Sequence, residues 1–371
     1  MFKKTLTAVA VLGAFAATAY AADVTVYGIV DTGLNYSSHD LDDGKGRVNT
    51  FSMKPGVNAS NRFGLKGQED LGNGLKVAFT LESQFNSDDG TLKTAGRLWE
   101  REASIALSGG FGTITAGRLG MLRGGIGTVA RFGSAVSPFS TNWVTDYIQG
   151  HSFVTASAGD VVNNSIVYTT PKFGGFDLTA QYSLANNAEG TTADKDDRYM
   201  AVAARYSVGT LNTTLLVDYT NLSQATDKDS AAKLDDPLSV SFAANYDCGF
   251  AKTFGIIHYF QDSPLKKAGS IAAGAGHYDG YGLVLGTIIP APGGRVKAQM
   301  GYLDGEDSAD VKTKGDIQRF DLSVAYEYQL SKRTMAYAGA GYVKQTIDAI
   351  GTSAKKDANG ETVVIGLQHK F

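Results

Sequence analysis

Histidine and cysteine are the first side chains in this 371-residue sequence to test for chemistry. His39, His151, His258, His277 and His369 show none of the spacings that hold a metal, and the lone Cys248 offers neither a thiolate cluster nor an internal disulfide. Serine, histidine and aspartate all occur, but no spacing nominates a catalytic triad. The glycine runs "GGFGTI" and "GAGHYDGYG" read as turns or loops, not as strand-to-helix phosphate cradles. No metal, cofactor or catalytic centre is expected. What remains is charge, whose chemistry is electrostatic: fixed charges around a confined aqueous space act on each passing ion with little screening.

The charges that could act this way fall in a few places. Arg62 and Lys66 alternate on the polar face of "NRFGLKGQ", and Glu82 lies on the polar face of "LKVAFTLESQF". A long stretch, 118–163, carries Arg118, Arg123 and Arg131 against Asp146 and Asp160. Unlike other connections in the chain it is rich in Gly, Ala, Phe and Val and contains Trp143 and His151, so it should pack against something. Its basic excess points weakly to a preference for anions. Arg101 conflicts with its neighbours, because period two puts it in phase with the apolar Ala103, Ile105 and Leu107. A lipid-facing arginine there would cost on the order of 2–4 kcal/mol, so either a protein interface covers it or a bulge turns it inward.

Such charges need a frame, and the frame is written in period two. "QRFDLSVAYEY" sets Phe320, Leu322, Val324, Tyr326 and Tyr328 against Arg319, Asp321, Ser323 and Glu327, while "LKVAFTLESQF" sets Leu75, Val77, Phe79, Leu81 and Phe85 against Lys76, Thr80, Glu82 and Gln84. Short turns centred near Gly72, Gly110, Gly174, Gly209, Gly249, Pro292 and Ser331 each join two such segments, at intervals of roughly 35 to 43 residues with one of about 64. Seven turns imply eight hairpins. Between them lie long acidic stretches such as "NNAEGTTADKDD" and "DGEDSADVKTKGD". Short turns alternating with long loops is the pattern of a closed antiparallel barrel.

The N-terminal "MFKKTLTAVAVLGAFAATAYA" combines Lys3 and Lys4, an apolar run and a small-x-small site at Ala19-Tyr20-Ala21, so residues 1–21 are expected to be a cleaved signal peptide and 22–371 the barrel domain. Removing it leaves 32 basic against 37 acidic residues, a net charge of −5 in place of −3, which argues against nucleic-acid binding. The composition, with 45 Gly, 18 Tyr and 18 Phe, suits a turn-rich β-protein. Alternation alone does not distinguish a water-soluble sandwich from a barrel in lipid. The signal, about sixteen strands, tyrosines near strand ends (Tyr206, Tyr219, Tyr246, Tyr302) and an aromatic last residue together favour the barrel. A sheet in hydrocarbon can leave no edge unpaired, so "VVIGLQHKF" is expected to close against "VTVYGIVDTGL".

The segments "VTVYGIVDTGL", "NRFGLKGQEDLGNGLKVAFTLESQF", "REASIALSGGFGTITAGR", "NSIVYTTPKFGGF" and "GLQHKF" resemble the general porins of Gram-negative bacteria, over nearly the whole chain. The resemblance implies a sixteen-stranded antiparallel transmembrane barrel in the outer membrane. It also implies a homotrimer, a third loop (118–163) folded inward as a constriction, and passive diffusion of small hydrophilic solutes and ions. It carries an eyelet-wall role onto Arg62 and Arg101, and makes Phe371 the key residue of a signal read by the outer-membrane assembly machinery. Some relatives would be expected to carry a basic residue in the middle of "NSIVY" where this chain has Val167, which puts a full arginine cluster in question. The alternatives are a substrate-specific outer-membrane channel and a plugged-barrel adhesin or structural protein.

Overall fold

The computed structural model describes residues 24–139, 160–184, 197–222, 235–264, 277–308, 315–348 and 355–371. The signal peptide expected at 1–21 lies outside them. The first strands are β1 (Thr25–Asp40), β2 (Val48–Pro55), β3 (Arg62–Gly72), β4 (Leu75–Gln84), β5 (Glu102–Gly109), β6 (Gly112–Gly120), β7 (Val161–Thr169) and β8 (Phe176–Ser183). They continue as β9 (Arg198–Val208), β10 (Leu211–Asn221), β11 (Leu238–Asp247), β12 (Lys252–Pro264), β13 (His277–Ala291), β14 (Gly294–Asp307), β15 (Ile317–Gln329), β16 (Thr334–Ile347) and β17 (Lys356–Lys370). Among the described residues the one helical element is a single 3-10 turn at Gly133–Ala135.

Apart from β2 and β3, consecutive strands pair antiparallel, and β1 also pairs with β17 from Ile29↔Lys370 to Asp40↔Asn359. The sheet is therefore closed. On its other side β1 meets two strands, β2 opposite Thr32–His39 and β3 opposite Thr25–Ile29. β2 and β3 are two lengths of one stave, so seventeen strands make the sixteen staves expected from the sequence. All seven short turns fall where the glycine, proline and serine signals put them, each between consecutive antiparallel strands.

Burial along the strands is the reverse of that in a water-soluble protein. On β15, Phe320, Leu322, Val324 and Tyr328 are exposed while Arg319, Asp321, Ser323 and Glu327 are buried. On β17, Val363, Ile365, Leu367 and Phe371 face out while Thr362, Val364 and Gln368 face in. Apolar side chains form the outer wall because that surface contacts hydrocarbon; the polar set turns towards the lumen. Exposed aromatics gather at the turns, with Phe173 at 86% and Phe250 at 77% exposure, and Phe176 stacks on Tyr206 at 4.3 Å. Rings at this level suit the membrane–water interface.

The seam runs to the last residue. Gly28 N donates to Phe371 O and Phe371 N to Gly28 O, both at 3.1 Å. Gly28 is required because a Cβ there would lie 2.4 Å from Phe371 Cζ and 2.5 Å from Arg62 O, so the missing side chain is the space the terminal ring occupies. Inside the seam, Tyr337 Oη donates to Asp31 Oδ1 at 2.6 Å and Gln368 Nε2 to Asp31 Oδ2 at 3.0 Å, tying β16, β17 and β1 together.

Replacing Gly28→Val should prise Phe371 from its seat and open the seam. The expected outcome is a marked loss of the compact form on unheated gels after refolding into detergent; a yield equal to wild type would show that the terminal ring does not lock the barrel.

Candidate functional site

Three inward positions on neighbouring staves converge at one wall of the lumen. Arg62 opens β3, Glu82 stands near the end of β4, and Arg101 immediately precedes β5. Arg101 Nε lies 2.6 Å from Glu82 Oε1 and its Nη1 bonds Gln84 Oε1 at 2.8 Å, while Arg62 Nε approaches Glu82 Oε2 at 3.5 Å. Tyr27 Oη donates to the same carboxylate at 3.0 Å. Its ring reaches Glu82 by crossing Gly64, where any Cβ would lie 2.7 Å from Tyr27 Oη. Lys66, on the same face as Arg62, sits 5.1 Å above the Tyr27 ring. Two guanidinium groups thus flank the Glu82 carboxylate, and Glu102 lies opposite Glu82 on β5.

The outward phase of Ala103, Ile105 and Leu107 does not extend to Arg101. The strand begins only at Glu102, and Arg101 N bonds Glu82 O ahead of it, so the side chain turns inward and is 4% exposed. No arginine is placed in lipid there. Arg118, by contrast, pairs with Ala103 and shares its outward phase. Its guanidinium caps Glu100 O at 2.6 Å and Asn163 Oδ1 at 2.5 Å, so it does not join the Arg62–Glu82–Arg101 group.

The chain leaving β6 packs against residues of β7 and of β9 to β13. Leu119, Met121, Leu122, Val129, Phe132 and Val136 are buried in one cluster with Tyr199, Ala201, Leu216, Ala243 and Val284. Polar contacts tie it to β5, β8, β11 and β14. Thr128 N and Oγ1 donate to Glu102 at 2.8 and 2.6 Å, Leu122 N to Gln181 Oε1 at 3.0 Å, Asn245 Nδ2 to Ala135 O at 2.6 Å and Ser137 Oγ to Gln299 Oε1 at 2.5 Å. Arg123 pairs with Asp218 at 3.6 Å, both buried, and Arg131 bonds Thr179 and Thr169 at 3.0 Å. Burial, with help from nearby Arg205, lowers the Arg131 guanidinium to about 10, so it remains a cation at neutral pH. Asp146, with Trp143 and His151, lies outside the described residues; Asp160 contributes its carbonyl to Met121 N at 2.9 Å. Val167 packs fully buried in the same apolar cluster.

Beyond this segment a cavity of about 650 Å³ carries Arg62, Lys252, Arg295, Lys297 and Lys370 on its lining against Asp247 and Glu327. Glu327 already binds Lys297 Nζ at 2.9 Å and pairs with Arg295. Lys297 Nζ also lies 4.6 Å over the Phe139 ring. A narrow aqueous space with this lining holds a positive potential, because low-dielectric walls focus the field into it. Sequence reading missed Glu102, Asp218, Arg295 and Lys297, and placed Glu327 on a polar face without giving it a role. Alternation could have found Glu102, since it shares a face with Ser104 whenever Ile105 and Leu107 point out.

A family model described as Gram-negative porin matches residues 8–348. An outer membrane porin protein of Bordetella pertussis is 30% identical with both chains fully covered, and outer membrane porin protein 32 of Delftia acidovorans is 29% identical, again over the whole of both. Among solved structures, the anion-selective porin from Comamonas acidovorans aligns with a TM-score of 0.69 at 25% identity, over 94% of this chain and 100% of that one. A trimer form of Vibrio cholerae OmpT, 15% identical with a TM-score of 0.60 over 95% of this chain, shares the fold. A closed barrel with its apolar face outward, a polar lumen and these relatives meet in one assignment: the chain belongs to the Gram-negative porin family, as an outer-membrane channel for passive diffusion.

Proposed function

We propose that the passage is constricted by the segment around 120–139, within the stretch 118–163, and that its charges give a modest preference for anions. The observation that carries this reading is the cavity lining, where Arg62, Lys252, Arg295, Lys297 and Lys370 outnumber Asp247 and Glu327, beside the Arg62–Glu82–Arg101 group. A unit charge about 7 Å from an ion in water contributes roughly 0.6 kcal/mol, or about threefold in relative permeability. Small anions gain by that factor and small cations lose by it; no bond is made or broken. Lys66 adds to the same potential, Arg123 serves to hold the segment, and Asp146 would offset it. Pore width, not a fitted pocket, then decides which hydrophilic solutes pass. The likeness to porins also supports a homotrimer, delivered by the outer-membrane assembly machinery through a signal ending in Phe371, in mature chains starting near residue 22.

In planar bilayers the purified protein should give discrete conductance steps with flux linear in solute concentration; saturable flux with competition would point instead to a substrate-specific channel. In a salt gradient, Arg62→Ala with Arg101→Ala removes both guanidinium partners of Glu82 and should move the reversal potential towards cations by about threefold or more in permeability ratio, while Arg118→Ala should leave it unchanged. An unaltered potential in the double variant would remove these arginines from the account of selectivity.

Glu102→Ala removes the acceptor for Thr128 N and Oγ1 and should loosen the segment. Single-channel records are expected to become noisier, with mean conductance raised; records matching wild type would place the constriction elsewhere.

A further inference from the structure

The split stave has a consequence inside the lumen. Between Pro55 and Arg62 the residues 56–61 leave the ladder and turn inward. Gly56 N donates to Asp31 O at 2.8 Å, Ala59 N donates to Asp31 Oδ2 at 3.0 Å, and Asp31 N donates to Asn61 Oδ1 at 2.5 Å. Asp31 is itself fully buried and is gripped from behind by Tyr337 and Gln368. The excursion is thus fastened to the two staves beyond β1, not merely to its own. Val57 is buried in one apolar cluster with Ala325, Tyr337, Val364 and Phe139, the last of these from the segment that leaves β6. The cavity of about 650 Å³ has Asn58 and Ala59 of the excursion on its lining together with Ser137 and Pro138 of that segment.

We propose that 56–61 is a second wall of the passage, which sets the width of the channel and touches the passing solute at Asn58 and Ala59, with Asp31 as the positioning residue that holds it. This rests on the reading that the lumen is the conducting path. A bulge in a strand needs one extra residue left unpaired. Six residues bent inward, bonded to a buried carboxylate and sharing an apolar cluster with the opposing segment, form a built element. Its backbone groups find partners on Asp31, so it holds its shape inside an aqueous space where a free loop would move.

The test uses the full chain in planar bilayers with Cys248→Ser as the background, so that a thiol introduced by Ala59→Cys is the only one present. A methanethiosulfonate reagent forms a disulfide with that thiol and releases methanesulfinate. Adding a cationic or an anionic reagent to open channels should lower single-channel conductance by roughly a third or more and move the reversal potential in opposite directions for the two charges. Asn58→Cys provides the same readout if Ala59→Cys folds poorly. Asp31→Asn should leave a conducting barrel with noisier and larger steps, a change that loss of stability alone does not produce. Failure to react, or full labelling by mass with unchanged conductance, overturns the proposal and makes 56–61 a passive part of the wall. Absence of conductance in the unmodified protein would instead overturn the channel reading on which it rests.

Discussion

Hydrocarbon supplies no hydrogen bonds, so every backbone N–H and C=O that enters it must be paired within the sheet. That single constraint dictates the seam between β1 and β17, with its register unbroken from Ile29↔Lys370 to Asp40↔Asn359 and capped by the Gly28–Phe371 pair. Closure removes the edges of the sheet and fixes which face each alternate residue takes. It also separates two solvents, lipid outside and water inside, across the thickness of one strand.

Once the wall is closed, the interior is free to carry charge. Buried polar groups along the lumen are stabilised by one another, as in Tyr27, Arg62 and Arg101 around Glu82, or by the chain that leaves β6, as in Arg123 with Asp218 and Thr128 with Glu102. A buried ion pair is a poor source of stability, and breaking one by removing a partner costs on the order of 3–5 kcal/mol. Its value here is positional: each pair sets the place of a charge beside the path of ions. The apolar cluster of Leu119, Met121, Leu122 and Phe132 against Leu216 and Ala243 does the corresponding work for shape.

Much of the fold was legible in the sequence because its signals are local. Val363, Ile365, Leu367 and Phe371 alternate plainly with Val364 and Gln368, and the short turns announce themselves by glycine, proline or serine. The rest depended on where strands stop. Arg101 could be read as outward by extending the phase of Ala103, and the error disappears only when β5 is known to begin at Glu102. Arg118 looked like part of the lumen because it opens a long basic segment, yet its register opposite Ala103 sends it outward. The break at 56–61 left a trace in Pro55-Gly56 and the polar "NASN", but its inward direction comes from the Asp31 carboxylate, a contact between distant positions that no local pattern encodes.

The seam is where the account is most exposed to test. Hydrogen–deuterium exchange of the protein reconstituted in lipid would read the amides of 363–371 directly. Protection there as strong as in β14 and β15 is the predicted result, since all are interior staves of one closed sheet. Rapid exchange over 363–371 with β14 and β15 protected would mean an open edge, and with it a chain that does not enclose a pore.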